Sequence, residues 1–172
     1  MSRIMLVDDE PHVLSALQRA LRQSAPLAGV QVETFVQPFD AIKRICVCEF
    51  DLVVSDFMMP QMSGGDLLQA LKDVAPLTVR IMLSASTDFQ TAMAAINDAQ
   101  VFRYIQKPWQ QAALEQNILA GLAERARLLA EAGRQPDAAP APTPQEREAQ
   151  RLEREEPGLL KVRRAADGSV IL

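Results

Sequence analysis

The stretch Leu52-Val53-Val54-Ser55-Asp56-Phe57-Met58-Met59-Pro60 runs from apolar residues into a carboxylate, with a proline four positions further on. A short Val- and Leu-rich run between Asp51 and Pro60 reads as a strand buried on both faces. Asp56 then stands at its carboxyl end. In open parallel sheets the crevice beyond those ends is where ligands bind. A carboxylate there serves as a cation ligand, a nucleophile or a helix cap, and the rest of the chain has to decide which.

Outward from this strand the pattern repeats. Arg3-Ile4-Met5-Leu6-Val7 is an apolar run that stops at Asp8-Asp9-Glu10, and Pro11 suits the first turn of a helix carrying Val13, Leu14, Leu17, Ala20 and Leu21 at helical spacing. Val30 to Phe35 alternates as a second strand nearer an edge. Pro38 opens a helix expected to turn Phe39, Ile42, Ile45 and Cys46 inward. After the turn Met62-Ser63-Gly64-Gly65-Asp66, a third helix carries Leu67, Leu68, Leu71 and Val74. Val79 to Leu83 is strand four, ending at Ser84-Ala85-Ser86. An alanine-rich helix is predicted over 88–98, strand five over Val101 to Ile105, ending at Gln106-Lys107-Pro108, and a long helix from Trp109 to near Arg134. Strict strand–helix alternation predicts an α/β fold with a parallel five-stranded sheet and right-handed crossovers. The doubly wound order 2-1-3-4-5 fits, because it makes the most apolar strands, one and three, central.

The 172 residues divide into a domain over 1–125, an extension of its last helix over 126–134, a Pro/Ala-rich linker over 135–144 and a tail over 145–172. The linker has four prolines in ten residues and is read as extended. Thr143-Pro144-Gln145-Glu146 looks like a helix start, and the helix to Glu156 is almost wholly charged. Residues 159–164 and 169–172 can pair as a hairpin around Ala166-Asp167-Gly168. An isolated hairpin is marginal in water, so the tail must dock or stay mobile.

Composition excludes several classes. A net charge of -4 and a mixed-sign tail invite no nucleic acid. Two cysteines, Cys46 and Cys48, and one histidine cannot build a Cys-rich zinc site. The cysteines read as small buried residues on a helix. No run is long and apolar enough to span a membrane, and a cytoplasmic setting is the expectation.

Four of the five strands end in polar groups of complementary kind: Asp8 and Asp9, Asp56, Ser84, and Lys107. A parallel sheet brings these ends to one edge. Converging carboxylates repel one another. A hard divalent ion such as Mg²⁺ relieves this and suits carboxylates, waters and a phosphoryl oxygen. A lysine opposite adds countercharge for a phosphoryl group, and a small hydroxyl can bond one of its oxygens. An aspartate nucleophile beside Mg²⁺ is established chemistry for making an aspartyl phosphate. Singly, each residue has a plain alternative as a cap, a first-turn acid or a solvated loop charge. Together they do not.

With Asp8-Asp9, the run Asp56-x-x-Met59-Pro60-x-Met62-x-Gly64, Ser84-Ala85 and Lys107-Pro108, residues 1 to about 125 resemble the receiver domain of bacterial two-component response regulators. The resemblance implies that Asp56 accepts a phosphoryl group from a sensor histidine kinase or phosphotransfer protein. It implies Mg²⁺ held by Asp8, Asp9, Asp56 and the Met58 carbonyl, Ser84 and Lys107 on the phosphoryl oxygens, and a cis Lys107–Pro108 peptide, to which proline lends itself. It also implies a coupled switch in which Ser84 moves toward the phosphoryl group and Tyr104 turns inward. Ser84 replaces the commoner threonine. One residue more than the family pattern lies between Ser84 and Lys107, assigned to the turn at Asp98-Ala99-Gln100.

The segment Val101 to Trp109 is similar to receivers of HD-GYP phosphodiesterases and hydrogenase-type regulators, whose output domains have no counterpart among residues 126–172. Met58 and Ser86 border the presumed phosphoryl site, where bulk shields it from water. Output is expected through an unknown downstream protein, or through a homodimer formed by the fourth-helix, fifth-strand, fifth-helix face. In the second case Leu114, Ile118, Leu122 and Leu129 of the last helix form a partial apolar stripe; the alternative is that its first half packs on the sheet and the rest frays. Two other classes compete: a phosphorylation-independent scaffold, and a haloacid-dehalogenase-type phosphatase. The latter needs a second Asp two residues after the first, where this chain has Met58.

Overall fold

The computed structural model describes residues 1–85 and 99–134, together with the backbone of 163–164 and 170–171. Its elements are β1 (Arg3–Val7), α1 (Pro11–Gln23), a 3-10 turn (Ala25–Leu27), β2 (Gln31–Phe35), α2 (Pro38–Ile45), β3 (Leu52–Asp56), α3 (Gly64–Val74), β4 (Val79–Ala85), β5 (Arg103–Lys107) and α4 (Gln111–Ala132). The sheet is parallel in the order β2-β1-β3-β4-β5. This is the doubly wound arrangement expected from the alternation, with β1 and β3 inside.

Alternation along each central strand sorts the core into two layers, because successive side chains point to opposite faces. Ile4, Leu6, Leu52, Val54, Ile81 and Leu83 pack with Leu14, Leu17 and Leu21 of α1 and Leu114 and Ile118 of α4. Met5, Val7, Val53 and Met82 pack with Ala41 and Ile45 of α2 and Leu67, Leu68 and Leu71 of α3. The central strands are therefore held between two apolar layers that fix where their polar ends emerge. Pro11 and Pro38 occupy the first turns of α1 and α2. The Ser63 hydroxyl accepts the Asp66 N–H at 3.1 Å and donates to the Asp66 carboxylate at 2.7 Å, starting α3.

Two glycines set close approaches. A Cβ on Gly64 would lie 2.0 Å from the Asp56 carbonyl oxygen, so only glycine lets α3 begin against the end of β3. One on Gly121 would lie 2.2 Å from Leu52 Cδ1, where α4 lies on the sheet.

Several side chains depart from the helical reading. Phe39 is 48 % exposed and Cys46 is also exposed. The inward face of α2 is Pro38, Ala41 and Ile45, with Ile42 half-buried, and Phe39 sits one residue, about 100°, round from Pro38. The cysteines are thus not buried helix residues: Cys46 follows α2, and Cys48 lies beyond it, half-buried against Arg3. Val74, at the end of α3, is exposed. Strand five begins two residues later than expected. Phe102 N–H already donates to the Arg80 carbonyl, and ladder pairing runs from Ile81–Arg103 to Ala85–Lys107, so Lys107 is itself a strand residue.

The last helix is continuous to Ala132, and its buried face is Leu114, Ile118, Gly121 and Arg125, with Leu122 half-buried and Leu129 exposed. Arg125 is buried and reaches Asp51 at 3.4 Å.

The second unit begins at Gly133, and within it Arg163–Arg164 (β6) pairs antiparallel with Val170–Ile171 (β7). The predicted helix over 88–98, Ser86, the 135–144 linker and the charged helix to Glu156 lie outside the described residues. No described helix is long and apolar enough to cross a membrane.

The close approach at Gly64 predicts that Gly64→Ala lowers stability by about 1–3 kcal/mol, as overpacking against backbone does. At Gly29 a Cβ meets nothing within 4 Å, so Gly29→Ala stays within about 0.5 kcal/mol. Equilibrium urea unfolding of the two variants measures the contrast.

Candidate functional site

β1 ends at Val7, and the next residue, Asp8, continues the ladder by donating its N–H to the Phe35 carbonyl at 3.1 Å. Its side chain is buried. Asp8 Oδ1 accepts the Glu10 N–H at 2.9 Å, which fixes the carboxylate at the turn into α1. Asp56 closes β3, is 6 % exposed, and sits across from Leu83. Phe57 N–H donates to the Leu83 carbonyl, and the Phe57 carbonyl accepts Gly64 N–H, both at 2.8 Å. These bonds hold the loop 57–64 over the strand end. Lys107, the last residue of β5, crosses to the middle of the sheet, with Nζ 2.8 Å from Asp8 Oδ2 and 2.7 Å from Asp56 Oδ1. Two residues separated by 99 positions in the chain are thereby joined.

Asp9 joins the same group. One carboxylate oxygen each from Asp8, Asp9 and Asp56 lies within 4.8 Å of the others. Three carboxylates against one ammonium leave an excess of two negative charges. Oxygen donors with that excess fit a hard dication, and Mg²⁺ characteristically takes a few carboxylates and completes its shell with water or phosphoryl oxygen.

Burial pushes the Asp56 carboxyl above its ordinary range, and the neighbouring Asp8 and Asp9 add to this; the hydrogen bond and charge of Lys107 act the other way. Burial alone would pull Lys107 down. The carboxylates of Asp56 and Asp8 outweigh it, so the ammonium is held above its usual value.

Ser84 is buried at the end of β4, opposite Gln106, and its hydroxyl makes a local 3.3 Å bond to the Ala85 carbonyl. Tyr104 is half-buried beside Met82; its hydroxyl donates to the carbonyls of Ser84 and Ala85 at 3.4 and 3.3 Å. Met58 is 61 % exposed on the loop after Asp56. The Lys107–Pro108 peptide is cis. Gln100, in the turn assigned to the extra residue, has φ 48°.

Sequence reasoning missed two buried arginines. Arg80 lies inside the apolar run of β4, and Arg125 faces inward from α4. An arginine in the second position of an otherwise apolar strand was the available signal for the first. The second sits four residues beyond Gly121 on the stripe that meets the sheet.

The sheet order, the strand-end carboxylates and the lysine can now be set beside known proteins. A family profile described as "Response regulator receiver domain" matches residues 4–119. The chain belongs to that family. The hydrogenase transcriptional regulatory protein HoxA of Bradyrhizobium diazoefficiens is 30% identical over 115 residues, covering 67% of this chain and 23% of HoxA. The transcriptional regulatory protein KdpE of Mycobacterium tuberculosis is 35% identical over 109 residues, 63% of this chain and 46% of KdpE. The chain therefore spans less than half of the length of either relative. Among solved structures, the signal receiver domain of an HD domain-containing protein from Pseudomonas fluorescens Pf-5 superposes with a TM-score of 0.67 at 28% identity, covering 73% of this chain and 98% of that one. A hydrogenase-type regulator is thus met among the relatives and the receiver of an HD domain-containing protein among the solved structures.

The charge balance gives two expectations. An acid raised in the folded state destabilises the fold as pH climbs from its ordinary value through the raised one. Asp56→Asn therefore raises the thermal midpoint in metal-free buffer at neutral pH, and the gain shrinks as pH is lowered into the ordinary carboxylate range. Lys107→Ala strands the carboxylates and costs about 2 kcal/mol, somewhat less than a fully buried pair. Thermal scans against pH check both.

Proposed function

We propose that the domain is a phosphoacceptor switch in which Asp56 takes a phosphoryl group from a histidine kinase or phosphotransfer protein. The observation that carries this is the bridge of Lys107 Nζ to Asp56 and Asp8 inside a three-carboxylate group. A carboxylate oxygen of Asp56 attacks phosphorus; the new P–O bond forms as the P–N bond to the donor imidazole breaks, and the imidazole departs with a proton from water. Little covalent work falls to the protein in such transfers, so positioning and charge dominate. Lys107 remains fixed by Asp8 and turns its remaining N–H groups to the incoming oxygens. Asp8, Asp9, Asp56 and the Met58 carbonyl would hold Mg²⁺, which when bound would supply charge neutralisation for the phosphoryl oxygens.

Transmission follows from the same edge. The Ser84 hydroxyl leaves its weak local bond for a phosphoryl oxygen. This vacates the space beside β5 into which Tyr104, now bonded to the β4 carbonyls, turns. The altered face of β4, β5 and the helices beside them binds a protein partner or a second copy. No separate catalytic activity is assigned beyond this transfer and its hydrolytic reversal. The domain runs over 1–125, with 126–134 extending α4 and 135–172 as linker and tail.

Incubation with Mg²⁺ and acetyl phosphate yields a phosphoryl-protein on a phosphate-affinity gel, lost without Mg²⁺ and in Asp56→Ala. Light scattering of the same samples reports whether the adduct self-associates. No adduct from the small donor or from any kinase favours a phosphorylation-independent scaffold. Met58, exposed beside Asp56, shields the acyl phosphate from water, so Met58→Asn hydrolyses faster, by about threefold or roughly 0.7 kcal/mol of barrier. The decay of radiolabelled adduct measures this, and an unchanged rate removes the shielding role.

A further inference from the structure

The pole of the sheet opposite Asp56 holds the two buried arginines, and they differ in one respect. Arg125 is answered by carboxylates, Asp51 at 3.4 Å and Glu49 at 4.0 Å. Arg80, only 6 % exposed, has no carboxylate partner among the described residues. Its Nε donates to the Ala99 carbonyl at 2.9 Å and its Nη1 to the Thr78 carbonyl at 2.8 Å. These orient the guanidinium without neutralising it, and Nη2 keeps its donors. A buried charge left in this way is costly unless something pairs with it.

Arg80 lines a cavity of about 200 Å³, together with Val79, Gln100, Phe102, Glu124 and Leu128. Glu124 is the carboxylate on that wall, and it is turned to Arg127 in a bidentate pair, at 2.8 and 2.6 Å. That pair holds the Glu124 carboxyl below its ordinary range through the Arg127 hydrogen bond. Among the described residues the cavity thus offers a guanidinium without a carboxylate partner, an amide, an aromatic ring and aliphatic walls. Sites with a few polar groups in a mostly apolar lining are the usual form for small-molecule recognition.

We propose that this cavity binds a small organic monocarboxylate, its carboxylate on Arg80 and its apolar part against Phe102, Val79 and Leu128. A guanidinium matches a carboxylate's planar geometry. A dianion such as sulfate or phosphate suits the cavity less, because Glu124 repels a second charge and the apolar walls cannot replace its hydration. The site shares no residue with the acidic group at Asp56, so it stands independently of the phosphoacceptor reading.

The test uses the full chain, ¹⁵N-labelled, titrated at constant ionic strength with benzoate and butyrate, with benzamide and butyramide as neutral isosteres, and with sulfate. Saturable amide shifts at Gln100, Phe102 and Leu128 with the acids, at least tenfold weaker with the amides and sulfate, are expected. Arg80→Met abolishes them. Should that variant fail to fold, Leu128→Trp fills the cavity from the outer helix and leaves Arg80 in place, and it must also abolish the shifts. No saturable shift up to tens of millimolar, equal shifts with the amides or with sulfate, or shifts that survive Leu128→Trp each overturn the proposal.

Discussion

A single ammonium holds the functional edge of this domain together. Lys107 Nζ lies within 2.8 Å of Asp8 and 2.7 Å of Asp56, carboxylates from the ends of two adjacent central strands, while the lysine itself comes from the edge strand β5. The bridge spans β4, whose end carries Ser84. Lys107 opposes the burial and the neighbouring carboxylates that raise the Asp56 carboxyl. Even so, the group of Asp8, Asp9 and Asp56 is still two negative charges in excess, an arrangement of oxygen donors that fits a dication, while the ammonium of Lys107 is the cationic group among the described residues there. Membership of the receiver family and the geometry of this edge point the same way.

The remainder of the structure serves that placement. Two apolar layers, one on each face of the sheet, clamp β1 and β3 and so place their last residues. Gly64 allows α3 to start against the Asp56 main chain, and the 57–64 loop closes with backbone bonds rather than side chains. Positioning by backbone is stiff, and it leaves Lys107, Ser84, Tyr104 and exposed Met58 as the side chains that surround Asp56 from the neighbouring segments. At the far pole, Asp51 takes the Arg3 N–H at 2.7 Å and Arg125 at 3.4 Å, tying β1, β3 and α4. Arg80 has no such partner among the described residues, an asymmetry with no structural necessity behind it.

Much of this was legible from residue order alone. Strand–helix alternation led to the sheet order, because apolar runs bounded by Asp or Pro have few other ways to bury both faces. The candidate site was legible for the same reason: in a parallel sheet every strand end of one polarity falls on one edge, so Asp8, Asp9, Asp56, Ser84 and Lys107 meet whatever the packing details. Side-chain orientation on helices was less legible. Phe39 and Cys46 looked inward by hydrophobicity, but the face of α2 is decided by which stripe contacts β1 and α3, and that stripe runs through Pro38, Ala41 and Ile45. The burial of Arg125 was not legible at all, because hydropathy carries no information on where a helix approaches the sheet; Gly121 brings α4 close enough to bury it.

What the sequence by itself determined is the order of elements, the two-sided core and the identity of the groups at the strand ends, since these follow from periodicity and from the polarity of a parallel sheet. The tertiary structure alone decided which charges touch. That Lys107 bridges Asp8 and Asp56, that Asp8 also caps its turn through Glu10 N–H, and that Arg80 is left without a carboxylate among the described residues all depend on distances of a few ångströms between chain segments remote in sequence. Coulomb energies and hydrogen bonds vary steeply over such distances. Residue patterns place these groups on a common edge, but only the packed sheet sets the spacings.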